Sequence, residues 1–298
     1  MPMVVSAPAK VNLYLAIGAP LPDGHHSVTT VLVALDLADL VTVEPAAALS
    51  LTCDPDVGVA SSDNLGWRAA VAMGKAFDRS PDFAIHIEKR VPAGAGLAGG
   101  SADAAAVIAA VAAAWDVQPD DYRLSAVASA VGADVAFALR GGCGLYGGRG
   151  ATFRRALRPP KAHFAIITGP KPVSTAAAYI AFDRIGRTPA PGPKRVTSAL
   201  CLEELPELGA ALFNNMTAAA VSLVPAVGDA LAFMAAAEGC CGSAVCGSGS
   251  AVFGLFADAA QAQEAADAAR ERGMWAVVAA PIAAGTLEQT MGVSRDGR

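Results

Sequence analysis

A glycine-rich segment between a predicted strand and a predicted helix constrains this chain more than any other feature. The segment reads Val91-Pro92-Ala93-Gly94-Ala95-Gly96-Leu97-Ala98-Gly99-Gly100-Ser101-Ala102-Asp103 and holds four glycines within seven residues. Glycine permits positive φ angles and lets the backbone approach a ligand closely, and the N-terminus of a following helix favours a bound phosphate. The segment matches neither a Walker A motif nor a dinucleotide-binding glycine turn. On its own, it is consistent with a phosphate-binding loop or with a tight structural turn.

Length and composition indicate two globular domains. A chain of 298 residues exceeds the size at which one hydrophobic core usually suffices. The pair Pro159-Pro160 marks the predicted boundary, which gives domains 1–160 and 161–298. Apolar residues make up 54% of the chain, and the mean hydropathy is +0.43. The longest strictly apolar run, 104–115, is nevertheless shorter than the roughly 20 residues needed to cross a bilayer.

Charge, cysteine spacing and the N-terminal sequence argue against several classes of protein. The net charge is −5 without a long basic block, which argues against nucleic-acid binding. The segment 1–9 has no basic residue ahead of its apolar residues, so no secretory signal is predicted. The six cysteines show neither a C-x-x-C pair nor a zinc-binding spacing, which is typical of buried thiols in a reducing cytoplasm. We expect a cytoplasmic monomer or homodimer without a side-chain metal site, binding neither nucleic acid nor membrane.

The hydrophobic periodicity predicts a mixture of strands and helices. Two short strands separated at Pro8 are predicted near the N-terminus, and in the second of them Lys10 and Asn12 project from the same face. Asp63 is predicted to cap a helix that continues to about Phe77. Further predictions are helices over 101–115, 122–131, 208–221, 225–238 and 258–272, strands over 28–35, 83–87, 163–167 and 275–279, an exposed loop over 187–195 and a frayed tail over 286–298.

Three motifs follow one another in the order of a known kinase family. They are Pro8-Ala9-Lys10-Val11-Asn12-Leu13, the segment 92–102, and Cys246-Gly247-Ser248-Gly249-Ser250. In these motifs the chain resembles the GHMP family of small-molecule kinases, named for galactokinase and for homoserine, mevalonate and phosphomevalonate kinases. The resemblance implies an α+β, two-domain GHMP kinase fold, with an N-terminal ribosomal-protein-S5-domain-2-like domain that binds ATP and a C-terminal ferredoxin-like α/β sandwich. It also implies an ATP-dependent phosphotransferase that uses Mg²⁺ held mainly by the phosphates.

Four further segments narrow the resemblance within that family. They are Asp23 to Val31, Leu35 to Asp39, Asp63 to Leu65 and Gly132 to Val135. They are similar to segments of the members that phosphorylate the 2-hydroxyl of 4-diphosphocytidyl-2-C-methyl-D-erythritol in the non-mevalonate pathway of isoprenoid biosynthesis. Two other interpretations stay open: a GHMP kinase for a different small alcohol, and a catalytically inactive member that only binds its ligand.

The resemblance assigns roles to individual residues. Asp134 is expected to be the general base for the acceptor hydroxyl, with Lys10 as its cationic partner. The main-chain N–H groups of 92–102 are expected to hold the ATP phosphates. The expected adenosine contacts are Asn64, Leu65 and Lys89, together with Arg90, and the expected substrate contacts are Asn12, His25, His26, Thr175 and Tyr179.

The predicted cytosine site contains one departure from the family. The resemblance implies that His26 hydrogen-bonds the edge of the base, while Tyr179 and the residue at position 25 sandwich its ring. Position 25 is usually tyrosine in the family, so His25 predicts weaker stacking. Ala136 stands where the family commonly has proline, which predicts a slightly looser helix start. Neither departure removes a catalytic group.

Overall fold

The computed structural model describes residues 2–169, 171–186 and 188–291, and within these ranges it confirms the predicted α+β fold. The strands are β1 (Met3–Pro20), β2 (His26–Pro45), β3 (Ser50–Asp54), β4 (Phe83–Glu88), β5 (Cys143–Gly147), β6 (Thr152–Leu157), β7 (His163–Thr168), β8 (Phe213–Asn214), β9 (Cys240–Val245), β10 (Val252–Phe256) and β11 (Trp275–Ala279). The helices are α1 (Leu65–Phe77), α2 (Gly99–Ala114), α3 (Tyr122–Val131), α4 (Ala133–Arg140), α5 (Thr175–Ile185), α6 (Lys194–Leu202), α7 (Leu205–Ala211), α8 (Thr217–Leu223), α9 (Ala226–Ala235), α10 (Ala259–Glu271) and α11 (Thr286–Met291). Across the described ranges, no helix combines the length and the apolar character needed to cross a membrane.

Two sheets organise the described part of the chain. The larger follows the order β3-β4-β2-β1-β8, and β5 and β6 extend it beside β2. The smaller is antiparallel, in the order β11-β7-β10-β9. Strand β2 pairs with two strands along one of its edges. Its first half pairs with β5 and its second half pairs with β4. The β-branched residues in its run 28–33 suit this role, since such side chains pack well on a pleated surface.

Helix α2 is buried along most of its length and places the glycine-rich loop. Its residues 102–112 are all buried, and most of them are alanines. Small side chains let the helix pack closely against α1, α4 and β1. Because neighbours surround it, its apolar residues face every direction rather than one side. The N-terminus of α2 is thereby fixed relative to β1.

The two halves of the chain pair and pack with each other across the predicted domain boundary. Pro159-Pro160 lies between β6 and β7, and the boundary there stays a prediction. The short strand β8 of the second half pairs in parallel with β1 of the first half. An apolar core also joins Val11 and Leu13 of β1 to Phe164 and Phe253 of the smaller sheet.

Two local predictions near the N-terminal motifs were wrong. Strand β1 continues through Pro8 instead of breaking there, and the pairing of β1 with β2 shifts register between Pro8 and Lys10. Such an irregularity lets a strand accept a residue that lacks a backbone N–H. The cap of α1 is Asn64 rather than Asp63, because the Asn64 side chain accepts a hydrogen bond from the N–H of Gly66.

The observed boundaries of several other elements differ from the predicted ones. Helix α2 begins at Gly99 rather than at residue 101, and α6 begins at Lys194, inside the predicted loop. The predicted helix over 208–221 is interrupted by β8, which pairs with β1. The predicted frayed tail begins with the helix α11, where Thr286 is buried and its Oγ1 donates to the carbonyl of Ala138 at 3.1 Å. Residues 292–298 of that predicted tail lie outside the described residues.

Candidate active site

A cleft with a volume of about 600 Å³ is lined by both halves of the chain. Its walls include β1, the glycine-rich loop, the first turn of α4, the start of α5 and the turn at Gly247-Ser248. The residues predicted for the site line this cleft with four exceptions, which are Arg90, Ala102, His25 and His26. Residues predicted from distant motifs therefore come together around a single cavity.

Lys10 lies at the centre of the cleft and is almost completely buried. Its Nζ donates to Asn12 Oδ1 and to the carbonyl of Gly96, both at 2.9 Å. The contact with Asn12 agrees with the predicted shared face of β1. Lys10 Nζ also lies 3.8 Å from Asp134 Oδ2. A buried ammonium is stable when oxygen atoms surround it, and these three oxygens supply that environment.

Asp134 presents its carboxylate to the cleft from the first turn of α4. Its side chain is 40% exposed, whereas that of Lys10 is 5% exposed. The positive end of the helix dipole stabilises a carboxylate at this position, as does the nearby ammonium. The pair therefore combines an accessible proton acceptor with a fixed positive charge, which suits proton removal from a hydroxyl group.

Asn12 connects Lys10 to the C-terminal glycine turn. Its Oδ1 accepts from Lys10 Nζ and, at 3.1 Å, from the backbone N–H of Gly247. Its Nδ2 donates to Thr30 Oγ1 at 2.9 Å, and that hydroxyl donates to the carbonyl of Tyr14 at 2.8 Å. Because every polar atom of the amide has a partner, its orientation is fixed.

The glycine-rich loop adopts a backbone that few other sequences permit. Gly94 and Gly96 have φ angles of 67° and 82°, and Ala98, which precedes α2, has a φ of 60°. Positive φ is the conformation for which glycine is favoured. No side chain caps the N-terminus of α2, so its first N–H groups are directed to the cleft end of the helix. Unpaired N–H groups at a helix N-terminus form an anion-binding surface.

The loop is supported from behind by the C-terminal turn. A Cβ added to Gly96 would overlap the carbonyl oxygen of Cys246. The N–H of Ala251 donates to the carbonyl of Ala95 at 3.0 Å, and the N–H of Lys10 donates to the carbonyl of Leu97 at 3.0 Å. The loop is thus held on two sides by backbone contacts.

Lys89, a predicted adenosine contact, belongs to a buried charge cluster beside the cleft. Its Nζ donates to Asp39 Oδ2 and, at 2.6 Å, to Asp103 Oδ2. Asp39 Oδ1 accepts from the backbone N–H of Arg90 at 2.5 Å and from that of Val91 at 2.7 Å. The cluster joins β2, the residue that follows β4 and the N-terminal part of α2. It therefore fixes both ends of the glycine-rich loop, and the ammonium expected to face adenosine is engaged by two carboxylates.

The cluster holds two carboxylates for one ammonium, and this affects their protonation. Burial raises the pKa of Asp103 to about 7, with Asp39 adding to the shift and Lys89 opposing it. Burial lowers the pKa of Lys89, but the charges of Asp103 and Asp39 outweigh this effect and raise it overall. Asp103 Oδ1 is buried without a hydrogen-bond partner in the described structure. A carboxylate in such surroundings favours its protonated form.

Asn64 and Leu65 lie where α1 meets the cleft. Asn64 Oδ1 accepts from the N–H of Gly66 at 2.8 Å, while its Nδ2 lies 3.6 Å from Cys53 Sγ. Cys53 and Leu65 line the same part of the cleft, together with Val57. This part of the cleft therefore combines apolar side chains with the amide of Asn64 and with the charged groups of Asp63, Lys89 and Asp103.

The opposite end of the cleft is built by β2 and α5. The ring of His26 lies 5.4 Å from the ring of Tyr179 at an interplanar angle of 35°. His26 Nε2 lies 2.9 Å from Asp183 Oδ1. Tyr179 lines the cleft, and burial, reinforced by the charge of Asp134, raises the pKa of its phenol. His26 does not itself line the cleft but packs against Tyr179, which does.

His25 occupies a different environment from His26. Its side chain is 62% exposed, and its Nδ1 lies 3.3 Å from Asp23 Oδ1. Among the described residues it has no ring contact with Tyr179, so the expected sandwich of a base between the two stays a prediction. Thr175 Oγ1, also predicted to contact substrate, lies 3.1 Å from Ser248 Oγ at the cleft wall.

Comparison with known proteins decides the family. The sequence profile "GHMP kinases N terminal domain" matches residues 64–142, and "GHMP kinases C terminal" matches residues 196–273. A 4-diphosphocytidyl-2-C-methyl-D-erythritol kinase of Streptomyces coelicolor is 37% identical over 281 residues, which cover 92% of this chain and 94% of the relative. The chain belongs to the GHMP kinase family. It is accordingly an ATP-dependent small-molecule kinase.

Other GHMP kinases show the same relationship. A 4-diphosphocytidyl-2-C-methyl-D-erythritol kinase of Mycobacterium bovis is 40% identical over 236 residues, covering 77% of this chain and 74% of the relative. The crystal structure of a 4-(cytidine 5'-diphospho)-2C-methyl-D-erythritol kinase matches with a TM-score of 0.76 and 33% identity, over 93% of this chain and 99% of that one. A homoserine kinase from Cytophaga hutchinsonii shares the fold, with a TM-score of 0.72 and 18% identity over 96% of each chain.

The structure of this GHMP kinase adds contacts that the sequence did not indicate. Arg149 lines the cleft, and its guanidinium pairs with Asp23. Asp39 and Asp103 bind Lys89, as described above. Asp23, Asp39 and Asp103 lie in segments quoted from the sequence, but their ion pairs form only in the folded chain, so the sequence did not predict these contacts. Among the described residues, no three side chains of the His, Cys, Asp or Glu types are grouped to hold a metal ion.

Proposed function

We propose that this kinase transfers the γ-phosphoryl group of ATP to the 2-hydroxyl of 4-diphosphocytidyl-2-C-methyl-D-erythritol. The substrate is inferred from the relatives, which carry that activity in their names and resemble this chain over most of its length. The product would enter the non-mevalonate pathway of isoprenoid biosynthesis. The observation that carries the reaction is the placement of Lys10 and Asp134 3.8 Å apart beside the glycine-rich loop.

The proposed chemistry is an in-line transfer assisted by Asp134. The Asp134 carboxylate accepts the proton of the acceptor hydroxyl. The hydroxyl oxygen forms a bond to the γ-phosphorus of ATP, the bond from that phosphorus to the bridging oxygen breaks, and ADP leaves. The Lys10 ammonium stabilises the negative charge that develops on the hydroxyl oxygen. The hydrogen bonds from Lys10 Nζ to Asn12 and Gly96 hold the ammonium in place. Without them, the lysine would pair more closely with Asp134.

The glycine-rich loop is the proposed site of the ATP phosphates. Its positive-φ glycines and the N-terminus of α2 offer backbone N–H groups to the phosphate oxygens. Mg²⁺ prefers oxygen ligands and keeps several waters, and the described side chains form no dedicated cage for it. We therefore assign the ion mainly to phosphate oxygens, where it would neutralise part of their charge. Asn64, Leu65 and Lys89 remain the proposed adenosine contacts.

The substrate diphosphate requires a positive group at the other end of the cleft. Arg149 supplies one there, and its partner Asp23 is 39% exposed, so the ion pair can open at the surface. A guanidinium binds phosphate oxygens in a bidentate manner. His26, Tyr179, Thr175 and His25 would then surround the cytidine beyond the diphosphate.

The test is release of ADP by the purified protein with a panel of alcohols. The panel contains the diphosphocytidyl alcohol, homoserine, mevalonate and galactose, each with ATP and Mg²⁺. We expect kcat/KM for the diphosphocytidyl alcohol to exceed the others by at least two orders of magnitude, because only it fills both ends of the cleft. Preference for another alcohol would favour the second candidate, a GHMP kinase whose specificity His25 has altered.

The cytoplasm is the proposed compartment, as a monomer or a homodimer. The described cysteines are all free thiols, which supports a reducing environment.

A further inference from the structure

Asp183 contacts the imidazole of His26, which packs beside Tyr179 at the proposed cytidine site. His26 is the first residue of β2, and Asp183 lies in the last turns of α5. The atoms in contact are His26 Nε2 and Asp183 Oδ1, 2.9 Å apart. The side chain of His26 is 9% exposed and that of Asp183 is 53% exposed. The contact therefore covers one ring nitrogen of a nearly buried histidine.

Two aromatic residues hold the His26 ring in a fixed orientation. Tyr179 packs against one face, and Phe182 meets the ring edge-on at 6.2 Å and 87°. Phe182 and Asp183 lie three and four positions after Tyr179 on α5, so both lie on the same side of the helix as Tyr179. The ring cannot rotate without losing these contacts, and its two nitrogens therefore keep different surroundings.

The chemistry of the contact determines which ring nitrogen bears the proton of neutral His26. An ionised carboxylate can only accept a hydrogen bond, so Nε2 must carry the hydrogen. Nδ1 is then an acceptor with a free lone pair. In the described structure, Nδ1 has no protein hydrogen bond, and it is not among the fully buried unpaired atoms.

We propose that Asp183 is a positioning residue that makes this site select cytosine over uracil. The inference rests on the proposed function, because it takes the base site to be the one beside His26 and Tyr179. The exocyclic 4-amino group of cytosine donates a hydrogen bond, which Nδ1 accepts. Uracil carries a carbonyl oxygen at the same position, and that oxygen would face the Nδ1 lone pair with no hydrogen between them. An unpaired polar contact of this kind opposes binding.

A purely structural role for the pair predicts a different behaviour. If Asp183 only tied α5 to β2, its loss would weaken the binding of every nucleotide at this site in proportion. If Asp183 sets the tautomer, its loss would change the preference between two bases that differ at one position. The ratio of two affinities therefore separates the two roles.

The experiment measures calorimetric binding of CDP and UDP to the full chain, with the glycine-rich loop occupied by a non-hydrolysable ATP analogue. We expect the unmodified protein to bind CDP at least about tenfold more tightly than UDP. Asp183→Ala should bring the ratio close to one, and Asp183→Asn should give an intermediate ratio, because an amide can pair with either tautomer. Arg184→Ala, an exposed neighbour on the same helix, is the matched control and should keep the original ratio.

A spectroscopic measurement tests the same point without a ligand. In ¹⁵N spectra of the histidine side chains, the His26 signals, assigned with His26→Gln, should show a protonated Nε2 and an unprotonated Nδ1. Asp183→Ala should convert them to a mixture of tautomers. The proposal is overturned if the CDP to UDP ratio of Asp183→Ala equals that of the unmodified protein, or if its tautomer does not change. Failure of the unmodified protein to phosphorylate the diphosphocytidyl alcohol would instead overturn the proposed function and the base assignment with it.

Discussion

Lys10 Nζ lies 3.8 Å from Asp134 Oδ2, and the buried ammonium faces a carboxylate that is 40% exposed. This asymmetry leaves Asp134 free to accept a proton from a substrate while Lys10 stays fixed. Asp134→Ala should therefore lower kcat by about 10²–10⁴-fold, the usual effect of removing a general base. ATP affinity, measured by calorimetry, should change little. Asp229→Ala, which removes an exposed acidic residue from the first turn of α9, is the control and should leave kcat intact.

The second prediction concerns the backbone of the glycine-rich loop. Gly96→Ala should weaken ATP binding by more than tenfold, because the added Cβ would overlap the carbonyl of Cys246 and displace the loop. Gly273→Ala provides the matched control, since Gly273 also has a positive φ, of 74°, but open space around its Cα. The control should lose about 1–2 kcal/mol of stability and no ATP affinity. Equal ATP affinities in the two variants would show that the loop does not hold the phosphates.

The third prediction concerns pH and the buried cluster around Lys89. Burial raises the pKa of Asp103 to about 7, so between its ordinary value and that pH the folded protein holds a proton that the unfolded chain lacks. The contribution of Asp103 to stability is complete below its unfolded pKa and is lost as the pH rises through about 7. The free energy of unfolding should fall over this range by at most about 1.4 kcal/mol per pH unit.

Urea denaturation between pH 5 and pH 8 checks this dependence. Asp103→Asn should flatten the curve relative to the unmodified protein, whereas the surface control Asp229→Asn should leave its slope unchanged. A parallel pair of curves for Asp103→Asn and the unmodified protein would contradict the assignment.

The fourth prediction addresses His25. His25→Tyr should lower the KM for the diphosphocytidyl alcohol and leave kcat nearly constant, because stacking acts on the ground and transition states alike. The gain should stay below about 1.5 kcal/mol, the scale of an aromatic pair. His26→Ala should raise the same KM, since it removes the proposed partner of the cytosine edge. If steady-state kinetics show neither change, the turn at Asp23-Gly24 does not hold the base.

The fifth prediction addresses Arg149. Arg149→Ala should raise the KM for the diphosphocytidyl alcohol about tenfold through loss of a charge-assisted contact, with the KM for ATP unchanged. Arg155→Ala, an exposed arginine on β6, controls for the loss of positive charge. Should both variants have the same kinetics, the diphosphate lies elsewhere.

The sequence predicted the strand that carries Lys10 and Asn12, because a two-residue period places alternate residues on one face. It predicted the glycine-rich loop for a comparable reason, since the requirement for positive φ is local. The pairing of Lys89 with Asp39 and Asp103 could not be predicted in this way. It depends on β2, β4 and α2 meeting in the folded chain, and no local pattern encodes that meeting.

The continuity of β1 through Pro8 was missed for a related reason. Proline ends a strand only where its absent N–H leaves a partner unsatisfied, and the register shift after Pro8 avoids that cost. The contact of Asp183 with His26 joins residues 157 positions apart, and an aspartate near a helix end carries no sign of such a partner.

The close packing of Gly96 against the carbonyl of Cys246 has a consequence for synthesis of the protein. Every residue of the glycine-rich loop leaves the ribosome early, yet its support comes from Cys246, Gly247 and Ala251. A nascent chain that ends before this turn lacks the backbone groups that contact and support the loop. The proposed nucleotide binding is therefore expected only once the chain extends through this turn.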